Sequence, residues 1–211
     1  MSNFRPISNA SDKRRQGFTL IELTIAGAMF LGLLGLLLFT NHQSMRAMLK
    51  GTTQSDFLQS TQVLAKMLSR HVQFASPASL SLAADGSGMA FLSAENDQGD
   101  FQFDPALSQA IWQKYQILYW DSTEEEIRQV EQDVRGFPEQ TNPGPIENWD
   151  AAQPIETYFT DGKPVLRNVT SATFLQPSPA TIELDVILKK ERALSQGPET
   201  YKFRLVRNLR N

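Results

Sequence analysis

The feature that most constrains this chain is a stretch near its N-terminus from which charge is missing. From Leu23 to Met45 there is no Asp, Glu, Lys or Arg, and only His42 can titrate. Its most apolar part, Leu23 to Phe39, makes about 26 Å of helix at ~1.5 Å per residue. Counted from Phe18 to Thr40, the segment makes about 34 Å, enough to cross a bilayer. A basic cluster, Lys13-Arg14-Arg15, precedes it. By the positive-inside rule that cluster stays cytoplasmic, which puts everything after the span on the other side of the membrane.

A cleaved secretory signal has a shorter apolar core followed by a small-x-small site. Here the run ends instead in Phe39-Thr40-Asn41-His42-Gln43. A plain signal anchor fits better but leaves Glu22 unexplained, because an ionisable group costs free energy in a bilayer, though less near the end of a span than at its centre. Placed in the first turn of a helix, a carboxylate faces the positive end of the helix dipole. If the chain is cut just before Phe18, Glu22 lies one helical turn from the new cationic amine. The spacing allows it to meet that amine in its own subunit or in a neighbour.

Gln16-Gly17-Phe18-Thr19-Leu20-Ile21-Glu22-Leu23 resembles the class III signal of type IV pilins and of the pseudopilins of type II secretion. The likeness covers about 30 residues. It implies that Lys13, Arg14 and Arg15 belong to a leader ending at Gly17. It also implies that a prepilin peptidase cuts between Gly17 and Phe18 and N-methylates Phe18. Glu22 then matches the acidic residue that sets register between assembled helices. The partners implied are the peptidase, other pilins or pseudopilins packed through the N-terminal helix, and an inner-membrane assembly platform. The implied location is the bacterial inner membrane, single-pass, with a periplasmic C-terminal domain.

Beyond the span the helical pattern continues and becomes one-sided, with Phe57, Leu64, Leu68 and Val72 at spacings of 7, 4 and 4. Pro77 closes it. The organisation expected is a leader over 1–17, a membrane helix over 18–40, its amphipathic continuation over 41–75 and a β-rich domain over 76–211. The fold class is α+β, with a long N-terminal helix whose second half packs on an antiparallel sheet. Ser79–Leu82 and Met89–Ala94 flank the turn Asp85-Gly86-Ser87-Gly88. Tyr115–Trp120, Thr181–Lys189 and Thr200–Asn208 read as strands, the last two separated by a turn at Gly197-Pro198. Val165–Leu175 reads as a strand, with or without a helical turn. Glu126–Val134 carries Ile127, Val130 and Val134, which fit either a helical stripe or a hairpin partner; the strand is preferred. Pro, Gly and Asn make Gly136–Pro154 a long loop.

This second portion resembles the minor pseudopilin J of type II secretion and the W-type minor pilin. The segments that carry the likeness are Trp112-Gln113-Lys114-Tyr115 to Tyr119-Trp120-Asp121, Val165-Leu166-Arg167-Asn168-Val169-Thr170 with Phe174, and Val206-Arg207-Asn208. It implies a minor, tip-type structural subunit of a secretion pseudopilus, or alternatively of a type IV pilus or DNA-uptake filament. A reading of another class is a signal-anchored binding domain or enzyme. No proline interrupts the span, which argues mildly against a major subunit.

The remaining chemistry is sparse. The 211 residues include no cysteine and two histidines, His42 and His71, both on the N-terminal helix. A Ser-His-Asp triad lacks its histidine in the body, and a two-histidine metal site lacks convergent ligands. No metal or other cofactor is expected. The acidic run of Asp121, Glu124, Glu125 and Glu126 reads as a solvated turn rather than a calcium site, which needs six to eight oxygens. Removal of the leader's +3 takes the net charge from −3 to −6, and no basic face points to nucleic acid. Trp149, in the long loop, is the candidate partner contact.

Overall fold

The computed structural model describes residues 18–149, 153–190 and 197–209. One helix, α1, runs Leu20–Gln73. The chain divides into two compact units, Met1–Gly51 and Thr52–Asn211.

In the first unit the helix exposes every side chain from Leu20 to Gly51. It is long and apolar enough to cross a membrane. Its hydroxyls turn back on its own backbone: Thr24 Oγ1 donates to Ile21 O (2.9 Å) and Thr40 Oγ1 to Leu36 O (2.8 Å). A hydroxyl with no water to bond has this local alternative.

The second unit begins with the rest of α1, which buries Phe57, Leu64, Leu68 and Val72. After a 3-10 turn at Pro77–Ser79 come, among the described residues, ten strands: β1 Ser81–Leu82, β2 Gly88–Ser93, β3 Phe103–Asp104, β4 Gln109–Ala110, β5 Lys114–Asp121, β6 Glu126–Asp133, β7 Lys163–Arg167, β8 Val169–Ser178, β9 Thr181–Lys190 and β10 Glu199–Asn208. They form three antiparallel sheets rather than the one expected. The first has the order β1-β2-β5-β6-β7, the second β10-β9-β8, and β3 with β4 makes a small ribbon.

Strand alternation divides the side chains of the five-stranded sheet between two cores. On one face Met89, Phe91, Leu118 and Ile127 join Leu64, Leu68 and Val72 of the helix and Phe174, Leu184 and Val186 of the three-stranded sheet. On the other face Ala90, Leu92, Tyr115 and Ile117 join Val134, Ile146, Trp149 and Ile155. Glu126–Asp133 is the strand preferred from the sequence, and the ambiguity has a simple origin. Ile127 enters the first core and Val134 the second, with Val130 packed beside it. The apparent helical stripe is two faces of one strand.

The segment expected as a long loop contains 3-10 turns at Pro138–Gln140 and Ile146–Asn148, with a third at Ile155–Tyr158. It is the cover of the second core. Tyr115 Oη donates to Gly144 O (2.7 Å) and Tyr158 Oη to Trp149 O (3.2 Å). Trp149 is the correction this makes: it is 5% exposed and sits among Tyr115, Phe137 and Tyr158, at ring centroid distances of 6.2, 5.7 and 5.9 Å. It is core, not a free contact, because the loop needs an anchor against an otherwise bare sheet face.

Candidate functional site

Two places concentrate polar chemistry against apolar surroundings. The first is the start of α1. Gly17 and the basic residues Lys13, Arg14 and Arg15 lie outside the described residues. Phe18 is 86% exposed. Glu22 Oε2 accepts from Thr19 N and from Thr19 Oγ1, both at 3.0 Å, while Glu22 N donates to Thr19 Oγ1 at 3.3 Å. This is a capping box, Thr at the N-cap and Glu at the third helical position, each closing an orphan backbone N–H of the other. The sequence carries its signal as Thr19-x-x-Glu22, a pattern separate from the spacing of Glu22 to Phe18. It gives Glu22 a partner within its own chain, so the carboxylate has a local reason to be there. Both residues follow the expected cut, so it removes neither.

The second place is a polar seam where the last turn of α1 meets the five-stranded sheet. Glu95, just after β2, is 3% exposed. Arg70 Nη2 reaches its Oε1 at 2.6 Å and His71 Nδ1 its Oε2 at 3.2 Å. The other ring nitrogen of His71 lies 3.3 Å from Gln129 Nε2. That amide nitrogen donates to Gln116 Oε1 (2.6 Å) and lies 3.3 Å from Glu131 Oε1. Gln116, 1% exposed, donates to Glu131 Oε1 at 3.1 Å, and Lys114 Nζ donates to Glu131 Oε2 at 2.6 Å.

The register explains why these groups meet. Gln116 pairs with Glu131 and Leu118 with Gln129 across β5 and β6, so all four face α1. Burial is the largest influence on His71 and pushes its pKa below the ordinary histidine value, against the pull of the Glu95 carboxylate. Burial also pushes Glu131 up, but the hydrogen bonds from Lys114 and Gln116 outweigh it, and its pKa ends below the ordinary carboxylate value. His71 is therefore a member of a partly buried polar network between helix and sheet. No local signal announces it, since its partners lie 24 and 58 positions away.

The other candidates are structural. Asp121 Oδ1 accepts from the backbone N–H groups of Thr123 and Glu124 (3.0 and 3.2 Å), closing the β5–β6 turn, where Glu125 adopts φ 54°. Arg128 takes up Asp121 and Glu126 at 3.5 and 3.2 Å. It lies in an open recess of about 550 Å³, lined also by Trp120 and Phe159; its charge is matched by these acids. Trp120 is half-buried and donates from Nε1 to Val169 O at 3.1 Å. Among the described residues no group of three or more His, Cys, Asp or Glu is placed to hold a metal ion. No known protein family, curated protein or solved structure matches the chain.

Proposed function

We propose that this chain is the precursor of a pilin-like subunit, cut between Gly17 and Phe18 and assembled into a short filament through its apolar helix. The observation that carries the reading is the position of Glu22. It is the sole carboxylate between Phe18 and Met45, and it is held in the first turn of a helix that is apolar on every face. Cutting before Phe18 places a cationic amine one turn from that carboxylate. The basic cluster Lys13-Arg14-Arg15 and Gly17, immediately upstream, complete the signal.

In this reading the Thr19–Glu22 box and the register contact share one carboxylate. Thr19 engages Oε2, which leaves Oε1 for the amine of an adjacent subunit. The subunit is structural and carries out no reaction. Its body lies in the periplasm, and its role is that of a minor, tip-type component of a type II secretion pseudopilus; a type IV pilus or DNA-uptake filament is the alternative assembly.

Co-expression with a prepilin peptidase tests the reading. The expected product begins with N-methyl-Phe18 by intact mass and N-terminal sequencing. Protein still beginning at Met1 would refute it. Glu22→Ala is expected to be cut normally and to enter filaments poorly; normal incorporation of that variant would remove the register role.

The capping box favours one second reading, a signal-anchored extracytoplasmic domain in which Glu22 does no more than cap the helix. Under it Glu22→Gln, which keeps an acceptor for Thr19, behaves as wild type in every assay. Under the first reading the loss of charge impairs assembly.

A further inference from the structure

The seam beneath the end of α1 has a direction that can be read from its charged ends. A carboxylate only accepts and an ammonium only donates. Glu131 takes hydrogen bonds from Lys114 Nζ and Gln116 Nε2. The amide of Gln116 is thereby oriented with its oxygen toward Gln129, which must present its own nitrogen. Of the two N–H groups on that nitrogen one serves Gln116 Oε1, and the other is shared between Glu131 Oε1 and His71 Nε2, each at 3.3 Å, so Nε2 is an acceptor and the ring proton sits on Nδ1, toward Glu95. Turning the Gln129 amide over would set its oxygen against Gln116 Oε1 and Glu131 Oε1, so the network resists rearrangement.

We propose that His71 is a proton-operated latch between the last turn of α1 and the five-stranded sheet. Neutral, it accepts from Gln129 and donates to Glu95, joining helix, β5, β6 and the segment after β2. Protonated, it turns a second N–H toward the Gln129 amide, two donors face each other, and the end of the helix loosens. The charged groups around the ring are Arg70 on α1, Glu95 after β2, Lys114 on β5 and Glu131 on β6. Glu95 and Glu131 favour the protonated ring. Both already hold a cation, Arg70 at 2.6 Å and Lys114 at 2.6 Å, and the ring is 12% exposed, so little water is available to solvate a new charge.

Burial lowers the pKa of His71, which sets the sign. An opened or unfolded chain takes up the proton as pH falls through about 6.5, the ordinary histidine value, and the latched form only at lower pH. Between the two the open form binds more protons, so opening gains as pH falls, by up to about tenfold per pH unit for one group. The latch is closed above this window. It does not depend on the filament reading.

The test uses the full chain in detergent micelles, with 15N-labelled histidine. Only two histidines occur, and His42→Gln identifies the signal of His71. The expected result is an Nδ1–H tautomer at pH 7.5 and a titration midpoint below the ordinary histidine value. Amide protection over Leu68–Gln73 should fall by up to about tenfold per pH unit on acidification, with Leu184 and Val186 of β9 unaffected. His71→Gln should keep the protection and lose its pH dependence. If that variant does not fold, Gln129→Met removes the opposing donor and should raise the His71 midpoint. An Nε2–H tautomer, protection that ignores pH between 5 and 7.5, or equal losses in β9 would each overturn the latch.

Discussion

Between Leu20 and Gly51 the helix exposes every side chain, whereas between Thr52 and Gln73 it buries Phe57, Leu64, Leu68 and Val72 against two sheets. The backbone is the same; the solvent each half asks for is not. From Leu20 to Thr40 the surface is apolar on every side, and each polar side chain finds its partner within a turn: Glu22 with Thr19, Thr24 with Ile21, Thr40 with Leu36. In the second half a single apolar stripe calls for a partner surface, and polar groups are satisfied from far along the chain, as His71 is by Glu95 and Gln129. A helix in lipid has no water to fall back on and must close its hydrogen bonds locally. A helix on a sheet can delegate them.

Several changes would break or sharpen that contrast. The largest effect is expected from paired truncations. Leu68→Ala removes a fully buried side chain and should cost ~2–5 kcal/mol in denaturant unfolding followed by tryptophan fluorescence. All three tryptophans lie in the body. Leu36→Ala, exposed on the other half, should leave the same transition within about 0.5 kcal/mol. Equal effects would abolish the distinction between the halves.

Next in size is Glu95→Gln, which preserves shape and an acceptor for His71 but removes the charge facing Arg70. Because Arg70 is half in water, the cost should be about 1–2 kcal/mol by the same measurement. A change within error would mean that the seam contributes orientation and no stability. The smallest effect is expected at the other end of α1. Thr19→Val removes the cap acceptor, and the amides of Leu20 to Glu22 should exchange on the order of fivefold faster, with the body unchanged. Unaltered exchange would show that the box does not hold the first turn.

Legibility in the sequence followed the same division between local and distant partners. The helix was readable almost to its ends, expected over 18–75 and found over Leu20–Gln73, because an uncharged run and a 7-4-4 spacing are local signals. β9 was readable because Ile182, Leu184 and Val186 alternate with Glu183 and Asp185, and β10 because Phe203 and Leu205 alternate with Lys202, Arg204 and Val206; the named β9 residues, Phe203 and Leu205 enter the core. The Thr19–Glu22 box has a local signal too, a Thr three residues before a Glu at the head of an apolar run. Glu95 was not legible: its buried place depends on Ala94 N donating to Phe74 O and Gln102 N to Ala94 O, bonds made between separate segments. The division of ten strands into three sheets, and the burial of Trp149 beneath its own loop, depend equally on such contacts.

The sequence by itself determined that residues 18–40 make a helix long and apolar enough to cross a membrane, with one carboxylate near its start. A long run of apolar side chains favours leaving water whatever fold follows it, and a Thr three residues before a Glu can close a helix end without outside help. Only the tertiary structure decided that His71 is largely shielded from water, with an acid on one nitrogen and an amide on the other. That arrangement exists because β5 and β6 pair in a register that brings Gln116, Gln129 and Glu131 to one face, and register is a property of strands meeting in space.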